Sequence, residues 1–556
     1  MTLYMRTTKW DRLSVSNQTF TLLAVAFSYV TKWVLYRLVT ESDYGLNGIQ
    51  STGAYTILVG ASLLIACIGL WRGRIIPALV TMLVTDLWLI ANILYHEANA
   101  VLINWHVILI ADNLRGFEGS ILVYLHWWLF IIPAVTAAVV TFLVQYRNEL
   151  KPEEGQRKQL GIYVVAALCV YAAGFGLKTY GNHVYDAENA DKWRFNKEQR
   201  LFIQTHTPVA HIAYTLWEGI QERVLHAKAV MPLSDEEKAL LATIYTDSVA
   251  PAEPTGHLVY FLIESFESWA LTAKDAHGNE VCEHLNAYIR NHDLLLCTNV
   301  LTQQKHGRSG DGQLITQTGM LPLSTGITCT SHGGNVYPNL AHFYPNGMVL
   351  NSYPGVWNQK VTTYSYGFKR LREPRFMTKG TDSLIVSWAL EELQKAVEPT
   401  CLLGITINTH APFTSVPATM EFGDEYSSLE SDYLQTVHYM DRHLGRFLAW
   451  ADTAAVMQDA TIVITADHNH FPVGNGKGLC PLLIRSPRIT HKTAVRHAWQ
   501  MDIFPTVLHA IGQSDYAWHG FGIDLLDPTA QRRLSPEQAY ELSDKMIRTD
   551  YFRKKE

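Results

Sequence analysis

The stretch Thr461-Ile-Val-Ile-Thr-Ala-Asp-His468 decides how the C-terminal half of this 556-residue chain is expected to fold. Its first five residues, Thr461–Thr465, are apolar or β-branched, which is typical of a strand buried on both faces of a parallel sheet. The run is followed by an acid and an imidazole, Asp467 and His468. Because ligands bind at the carboxyl ends of parallel strands, we expect this pair to lie in a binding crevice.

Two earlier runs have the same form. His257–Ile263 is followed by Glu264, and Leu402–Ile407 is followed closely by His410. If all three runs are parallel strands of one sheet, their polar ends meet at the same edge. The sequence therefore predicts that side chains from three distant segments converge on one site.

Segments with helical periodicity, Thr381–Ala396 and Asp432–Thr453, lie between these runs. Strands that alternate with helices are typical of an α/β fold. We expect an α/β domain with a mostly parallel central sheet over residues 256–556.

The N-terminal third is different, because apolar residues there form five long stretches. Each has about 18–25 residues, enough to cross the ~30 Å hydrocarbon layer of a membrane as a helix. A soluble helical core rarely contains five such runs with charged breaks, so we expect a membrane domain over residues 1–177. The five predicted spans are Gln18–Leu38, Gly53–Trp71, Ile75–Tyr95, Ile121–Gln145 and Leu160–Leu177.

Lysine and arginine are unevenly distributed among the loops, and they are retained on the cytoplasmic side of a membrane. The loops opposite the basic ones offer only Arg37 and Arg115. With five spans, this places the N-terminus in the cytoplasm and everything after Leu177 outside it. The basic residues of the predicted cytoplasmic segments are Arg6, Lys9, Arg12, Arg72, Arg74, Arg147, Lys151, Arg157 and Lys158.

Residues 178–255 are expected to form a helical connector. Helical periodicity appears around His211–Leu225, and Ser234-Asp-Glu-Glu237 has the form of a capping box that opens a helix. The net charge of −6 comes without a long basic tract, so nucleic acid is not an expected partner. Five of the seven cysteines lie in the exported part, where one or two disulfides are possible.

Glu264, Asp467 and His468 supply two carboxylates and an imidazole, a ligand set that suits Mn²⁺, Mg²⁺ or Zn²⁺. The best candidate nucleophile is Ser309, in the glycine-rich loop Gly307-Arg-Ser-Gly-Asp-Gly312. A bound cation stabilises a serine alkoxide, so metal and serine make chemical sense together. Taken singly, each of these features is more often a turn, a strand-end charge or a loop histidine.

Four motifs in this order resemble the lipoteichoic acid synthase family of the alkaline-phosphatase/sulfatase superfamily, which includes phosphoglycerol transferases. They follow five predicted spans, as in that family. The segments Met501-Asp-Ile-Phe-Pro-Thr506 and Gly520-Phe-Gly-Ile-Asp524 are also similar to the superfamily's closing strand and helix. The motifs are Leu262-Ile-Glu-Ser-Phe266, Arg308-Ser-Gly-Asp311, Asn408-Thr-His-Ala-Pro-Phe413 and Ala466-Asp-His468.

The resemblance implies that Glu264, Ser309, Asp467 and His468 bind one divalent cation, Mn²⁺ first, with Mg²⁺ or Zn²⁺ as alternatives. Ser309 stands where the family has a threonine nucleophile. His410 would contact the transferred group or protonate the leaving alcohol. Substrate contacts are expected from Trp357, Arg308, Gln359 and His332.

The sequence departs from the family in the segment Val349–Lys360. Members that bind phosphoglycerol have a His-x-Asp and then a Trp-x-Arg there. Trp357 is present, but Leu350 and Ser352 replace the His and Asp, and Gln359 replaces the Arg. The loss of the arginine removes a bidentate contact to phosphate or hydroxyl groups, so the head group need not be glycerol phosphate.

We therefore expect a bacterial inner-membrane transferase with an extracytoplasmic catalytic domain. It would move a phospho-alcohol from phosphatidylglycerol or phosphatidylethanolamine to a glycan or polymer through a phosphoserine. The alternatives are a phosphoethanolamine transferase, a phosphodiesterase or phosphatase of the same superfamily, and a membrane-anchored scaffold without activity. A sulfatase is disfavoured because its Cys-x-Pro-x-Arg pattern is absent from the sequence.

Overall fold

The chain forms two compact units in this computed structural model. The first contains Met1–Ile108 and Ile121–Val224, and the second contains Leu109–Ser120 and Leu225–Glu556. The residues that the structure describes are 17–39, 48–70, 75–99, 102–103, 105–109, 124–145, 156–185, 213–217, 219–220, 233–245, 253–324, 326–374, 382–411, 413–469 and 478–553.

Five helices of the first unit are long and apolar enough to cross a membrane, which agrees with the predicted number of spans. Of the predicted span Ile121–Gln145, residues 121–123 lie outside the described residues, 124–126 are not helical, and the apolar span begins at Trp127. The helix of the fifth span continues past the predicted end at Leu177 to Tyr185. The helices are α1 Asn17–Val39, α2 Gly48–Gly69, α3 Ile75–Asn99, α4 Trp105–Leu109, α5 Ile131–Gln145 and α6 Gln156–Tyr185, and a 3₁₀ turn Trp127–Phe130 precedes α5.

A buried polar cluster connects α1, α3 and α5. Lys32 donates to both Asp86 and Thr136, and the Thr136 hydroxyl donates to the other oxygen of Asp86. All three side chains are buried. In the apolar interior of a membrane such groups are tolerated only when they are paired, as they are here.

Close packing of α2 against α6 depends on glycines. A Cβ at Gly53 would lie 2.5 Å from the backbone nitrogen of Lys178, and one at Gly174 would lie 2.5 Å from the backbone nitrogen of Ile57. Small residues at such contacts let the two helix backbones approach closely. In a membrane the hydrophobic effect does not drive helices together, so this close packing is what stabilises their association.

The second unit is built on a nine-stranded sheet in the order β4-β3-β5-β1-β6-β7-β2-β8, with β9 also paired to β2. From β4 to β6 every neighbouring pair is parallel, and β7 is antiparallel to both of its neighbours. The prediction of a mostly parallel sheet is confirmed. The strands are β1 Leu258–Ile263, β2 Leu295–Leu301, β3 Asn346–Asn351, β4 Arg370–Arg372, β5 Thr400–Ile405, β6 Thr461–Ala466, β7 Leu479–Arg485, β8 Thr493–Val495 and β9 Ala498–Trp499.

The register of the parallel strands places their carboxyl ends side by side. Leu262 of β1 pairs with both Ile405 of β5 and Thr465 of β6, and Asn351 of β3 pairs with Ile405. All residues of β1, β5 and β6 are buried, as their continuous apolar runs predict. The segments that follow these strands therefore begin at the same edge of the sheet.

Helices complete the second unit. The capping box at its first helix is present, since Glu237 N–H donates to Ser234 Oγ (3.1 Å) and Ser234 N–H donates to Glu237 Oε2 (2.8 Å). The helices are α7 Asp235–Leu241, α8 Glu283–Asn291, α9 Arg308–Thr318, α10 Thr328–Ser331, α11 Gln359–Ser365, α12 Asp382–Lys395, α13 Ser428–Ala451, α14 Ile503–Ala510 and α15 Pro536–Arg548.

Two further predictions concern the connector and the cysteines. Within the predicted helical region His211–Leu225, residues 213–217 and 219–220 are helical, and the rest lies outside the described residues. All seven cysteines lie within the described part of the chain, and all are free thiols. None of the possible disulfides is formed.

Candidate metal and nucleophile site

Two carboxylates and one imidazole meet at the carboxyl edge of the sheet. Glu264 follows β1, and Asp467 and His468 follow the adjacent strand β6. All three are buried, and one ligand atom of each lies within 4.8 Å of the others. This is the one such cluster within the described ranges. The structure thus brings together the three metal ligands that the strand ends predicted.

Ser309 joins this cluster from the first turn of α9. Its hydroxyl donates to Glu264 Oε2 at 3.1 Å and lies 3.2 Å from His468 Nε2. The glycines beside it allow the approach, because a Cβ at Gly312 would lie 2.3 Å from the Asp467 carbonyl oxygen. The predicted nucleophile therefore lies within hydrogen-bond distance of two of the predicted ligands.

The start of α9 is held by a buried carboxylate. Asp311 Oδ2 accepts hydrogen bonds from the N–H groups of Lys305 and Gly307, each at 2.9 Å. Its side chain lies so close that a Cβ at Gly307 would be 2.1 Å from Asp311 Oδ1. Burial raises the pKa of Asp311 to about 7. Arg308, between this turn and Ser309, has a left-handed backbone (φ 43°), which marks a constrained entry to the helix.

Ser265 connects the two carboxylates of the cluster. Its N–H donates to Asp467 Oδ1 (2.9 Å), and its hydroxyl donates to Glu264 Oε1 (2.6 Å). Its own backbone is left-handed, with φ 50°. Tyr433 supports this conformation by donating its hydroxyl to the Ser265 carbonyl at 2.9 Å.

Two glutamines hold the segment that carries Asp467 and His468. Gln500 Nε2 donates to the Asp467 carbonyl oxygen (2.6 Å), and Gln303 N–H donates to Gln500 Oε1 (3.0 Å). In return, Met501 N–H donates to Gln303 Oε1 at 2.9 Å. All of these residues are buried, so the network fixes the backbone from which two ligands project.

The loop that carries His410 is tied to the same site. Glu264 N–H donates to Thr406 Oγ1 (3.0 Å), and Thr409 Oγ1 donates to the Glu264 carbonyl oxygen. His410 Nδ1 lies 2.6 Å from the Ala411 carbonyl oxygen, an acceptor, so Nδ1 carries a proton. His410 is also close enough to Glu264 to lower its pKa.

Asp382, the first residue of α12, holds this loop from the other side. Its Oδ1 accepts from the N–H groups of Ile407 (2.8 Å) and Asn408 (3.1 Å), and Asn408 Oδ1 accepts from the Asp382 N–H (2.9 Å). Burial raises the pKa of Asp382 to about 6. The reciprocal bonds fix the backbone two residues before His410.

The electrostatics of the cluster favour a bound cation. Burial, and then the charge of Glu264, raise the pKa of Asp467 to about 7. Burial also acts to raise the pKa of Glu264, but His468, His410 and two serine hydroxyls outweigh it and lower that pKa. Among the described residues, Asp467 Oδ2 is buried without a hydrogen-bond partner. Two adjacent buried carboxylates, one with an unsatisfied oxygen, fit a divalent cation.

Trp357 lies close to Gly310, the residue after the predicted nucleophile. It and Asn358 both have left-handed backbones, with φ 54° and 53°. A Cβ at Gly310 would lie 3.4 Å from the Trp357 Cβ, so the tryptophan backbone lies beside the turn that carries Ser309.

The remaining predicted substrate contacts are placed differently. The Gln359 amide is buried and engaged inside the protein, accepting from Asn351 Nδ2 (3.1 Å) and lying 3.3 Å from Thr363 Oγ1. His332 is half-buried, with Nδ1 2.8 Å from Ser331 Oγ. Arg308 is half-buried at the start of α9.

The second unit, with this sheet and this cluster at its carboxyl edge, defines a protein of the alkaline-phosphatase/sulfatase superfamily, whose members generally use a divalent metal. Residues 331–513 match the family model described as Sulfatase. Residues 5–191 match a second model, the lipoteichoic acid synthase N-terminal domain. The two matches lie in separate parts of the chain, and they confirm its resemblance to the lipoteichoic acid synthase family.

Individual relatives are distant. The chain is 22% identical over 356 residues to lipoteichoic acid synthase 1 of Bacillus subtilis, in an alignment that covers 56% of this chain and 55% of that protein. It is 19% identical over 479 residues to the lipoteichoic acid synthase of Staphylococcus saprophyticus, covering 79% of this chain and 73% of that protein. The chain thus spans about half the length of the Bacillus relative.

Solved structures similar to the chain include a lipoteichoic acid synthase and a phosphoglycerol transferase. The lipoteichoic acid synthase LtaP from Listeria monocytogenes is 14% identical with a TM-score of 0.45, covering 57% of this chain and 98% of that one. The phosphoglycerol transferase GacH from Streptococcus pyogenes, in complex with sn-glycerol-1-phosphate, is 14% identical with a TM-score of 0.40, covering 57% of this chain and 90% of that one.

Proposed function

We propose that this protein is a membrane-anchored phosphotransferase. It moves a phospho-alcohol group, phosphoglycerol-like in size, from a phospholipid to a glycan or polymer outside the cytoplasm. The observation that carries the proposal is the Ser309 hydroxyl, 3.1 Å from Glu264 Oε2 and 3.2 Å from His468 Nε2 at the buried edge of the sheet. A serine held in this way is a candidate nucleophile for a two-step transfer.

The residues that would hold the cation are Glu264, Asp467 and His468, with Ser309 as a further ligand, and the unsatisfied Asp467 Oδ2 supports this set. Mn²⁺ is the ion that we propose first. A bound divalent cation supplies positive charge that lowers the pKa of a hydroxyl and offsets charge on a phosphoryl oxygen.

In the first step, Ser309 Oγ forms a bond to the phosphorus of the lipid head group, and the bond from phosphorus to the diacylglycerol oxygen breaks. The serine proton passes to Glu264 Oε2, to which Ser309 Oγ donates at 3.1 Å. We assign to His410 the donation of a proton to the departing diacylglycerol oxygen, a general-acid role that an imidazole can fill. The products are diacylglycerol and a phosphoserine ester at residue 309.

In the second step, a hydroxyl of the acceptor attacks the same phosphorus and the bond to Ser309 Oγ breaks. His410, now without its proton, takes the proton from the attacking hydroxyl, and Ser309 regains its own proton from Glu264. Loop 406–411 is tied to Glu264 through Thr406 and Thr409, so the imidazole can serve both half-reactions from one position.

The membrane unit explains where this chemistry would take place. Its basic loops are expected on the cytoplasmic side of a bacterial inner membrane, which places the second unit outside the cytoplasm. An anchor in the bilayer raises the effective concentration of a lipid donor. We propose phosphatidylglycerol or phosphatidylethanolamine as that donor.

Phosphoethanolamine transfer is the second candidate, and a specific observation favours it. Leu350, Ser352 and Gln359 stand where family members that bind phosphoglycerol have charged or titratable residues. In the structure Leu350 and Ser352 are completely buried, and the Gln359 amide is bonded to Asn351. A head group bound here would meet no guanidinium from the segment Val349–Lys360. A small amine head group does not need such a contact.

The test supplies the full-length protein, in vesicles with Mn²⁺, with phosphatidylglycerol or phosphatidylethanolamine labelled in the head group. Wild-type protein should release diacylglycerol and transfer the label to a glycan acceptor. Ser309→Ala should lower the rate at least about a thousandfold, while Ser309→Thr, which keeps a hydroxyl, should retain activity.

Each other outcome selects a different function. Label that appears only as the free phospho-alcohol indicates a hydrolase. Turnover that is equal in wild-type protein and Ser309→Ala would contradict the nucleophile. No turnover in either form would favour a scaffold.

A further inference from the structure

A short helical segment in the connector exposes an apolar face. Its described residues are 213–217 and 219–220, and we refer to them as the connector helix. Leu216, Trp217 and Ile220 are 54%, 54% and 56% exposed. With Ala213, which is also exposed, they follow the spacing i, i+3, i+4, i+7 that places residues on one face of a helix.

The opposite face of the connector helix is the one turned toward protein. Thr215 is completely buried, and Gly219, one turn later, is buried as well. A Cβ at Gly219 would lie 2.3 Å from Trp105 Cδ2, so the backbone lies directly on the Trp105 ring of α4. A polar and a small residue face inward while large apolar residues face outward, which is the reverse of a helix on a water-soluble protein.

The start of α4 lies within the layer formed by the spans, which locates the connector helix that packs on it. After α3 ends at Asn99, the chain turns back, and Ile103 N–H donates to Asn92 Oδ1 at 3.0 Å. Asn92 lies seven residues before the end of α3, or about 10 Å along a helix that rises 1.5 Å per residue. Leu102 belongs to the same buried cluster as the core of the spans. The chain therefore re-enters the layer of the spans immediately before α4.

Because α4 begins at this depth and the connector helix lies on its Trp105, the exposed apolar face is level with the ends of the spans. The fourth span starts at the same end of the spans, since His126 Nε2 lies 3.4 Å from Glu97 Oε2 near the end of α3. Its first residues, Trp127 and Phe130, are 79% and 61% exposed. Tryptophan is enriched where membrane hydrocarbon meets water, so the exposed face of the connector helix lies at the end of the spans where this boundary is expected.

We propose that the connector helix lies in the membrane interface, with Leu216, Trp217 and Ile220 in contact with bilayer lipid. It is a monotopic contact in addition to the five spans. The phospholipid bilayer is the partner that fits, since an amphipathic helix at the interface buries its apolar face below the headgroups.

Spin labels on the full-length protein test this placement. Cys169, the one exposed cysteine, is first replaced by serine, and a nitroxide is then attached at Leu216→Cys, Trp217→Cys or Ile220→Cys. The protein is placed in vesicles of phosphatidylcholine and phosphatidylglycerol. Collision rates are measured with oxygen, which concentrates in the hydrocarbon, and with a water-soluble nickel complex.

Two control positions calibrate the ratio of these rates. Ile76→Cys reports the lipid-facing surface of a span, because Ile76 is 71% exposed on α3, and Val397→Cys reports water, because Val397 is 94% exposed between α12 and β5. The proposal predicts an oxygen-to-nickel ratio at 216, 217 and 220 that is several-fold above that of Val397→Cys and approaches that of Ile76→Cys. Ratios equal to that of Val397→Cys would overturn it, and so would labels shielded from both reagents, which would indicate a protein partner such as a second copy. Three positions are used so that the failure of one variant to fold leaves the test intact.

Discussion

Ser265 orients the carboxylates of both Glu264 and Asp467. Its hydroxyl bonds to Glu264 and its N–H bonds to Asp467, and both bonds require the left-handed backbone at φ 50°. A non-glycine residue in this conformation costs free energy that the surrounding structure must supply. Residues that orient metal ligands contribute to affinity although they never touch the metal.

Replacing Ser265 by alanine should weaken Mn²⁺ binding by about 10–100-fold, because Glu264 loses the bond that orients it. Isothermal titration of the full-length protein with Mn²⁺ measures this change. Ser428→Ala, at an exposed serine at the start of α13, is the control and should bind as wild type does. Unchanged affinity in Ser265→Ala would mean that the hydroxyl does not position Glu264.

The residues that form the cluster could be predicted where local sequence carried the signal. Asp467 and His468 follow a strand of apolar and β-branched residues, and Ser309 lies in a glycine-rich turn. Each signal is weak singly, and it was their order along the chain that made the set recognisable. Ser265 and Gln500 could not be assigned roles in this way. The bond from Ser265 to Asp467 joins residues 202 positions apart, and the bond from Gln500 to Asp467 joins residues 33 positions apart. Only the folded chain shows which carboxylate or carbonyl each one meets.

Helix α9 and strand β6 meet at a contact that only glycine allows. A Cβ at Gly312 would lie 2.3 Å from the Asp467 carbonyl oxygen, a backbone atom that cannot move away without displacing the ligand. Gly312→Ala should therefore cost about 1–3 kcal/mol of stability and sharply reduce activity. The measurements are thermal unfolding and lipid turnover.

Gly334 provides the control for this substitution, because nothing lies within 4 Å of a Cβ placed there. Gly334→Ala should leave both unfolding and turnover as in wild type. If Gly312→Ala behaved like Gly334→Ala, the close approach of α9 to Asp467 would be wrong.

The loop between β5 and His410 depends on the start of α12. Asp382→Ala would leave the buried N–H groups of Ile407 and Asn408 without their acceptor, at about 1–3 kcal/mol for each group. We expect turnover to fall about tenfold or more with Mn²⁺ affinity nearly unchanged, since the loop carries His410 and no predicted metal ligand.

Asp382→Asn distinguishes positioning from charge. Its amide oxygen can still accept from both N–H groups, so turnover should recover toward the wild-type rate. An asparagine variant as inactive as the alanine variant would show that the carboxylate itself is required, and loss of Mn²⁺ binding in both would place Asp382 in the metal site.

At the level of elements, the parallel strands β1, β5 and β6 could be predicted because each is a continuous apolar run. The other six strands, β2, β3, β4, β7, β8 and β9, were not predicted. β2 contains partly exposed residues and a register shift between Cys297 and Val300, and β8 and β9 have three and two residues. Short or irregular strands at the side of a sheet owe their conformation to pairing, which no local pattern reports.

For the whole molecule, the membrane unit depends on the packing of α2 against α6. Gly174→Leu should destabilise the full-length protein in detergent, because a Cβ there already reaches to 2.5 Å of the Ile57 nitrogen and overpacking of this kind costs about 1–3 kcal/mol or more. Gly176 lies two residues later on the same helix with nothing within 4 Å of its Cβ, so Gly176→Leu is the matched control. Equal unfolding temperatures for the two variants would contradict the packing of α2 on α6.

The number of spans could be predicted because membrane thickness fixes the length of an apolar helix. Their ends could not. The fifth spanning helix, α6, continues through the buried polar residues Lys178 and Asn182 to Tyr185, and Gln50 Nε2 donates to Asn182 Oδ1 inside the bundle at 2.8 Å. Hydropathy treats such residues as the end of a span, whereas helix packing accommodates them.

The central claim is that Glu264, Ser309, Asp467 and His468 surround one divalent cation. Crystals of the full-length protein grown with Mn²⁺, with diffraction recorded at the manganese absorption edge, test it most directly. The predicted result is a single anomalous peak in the second unit, in direct contact with Glu264, Asp467 and His468 and beside Ser309 Oγ. A peak elsewhere, or a fully ordered cluster without one at saturating Mn²⁺, would contradict it.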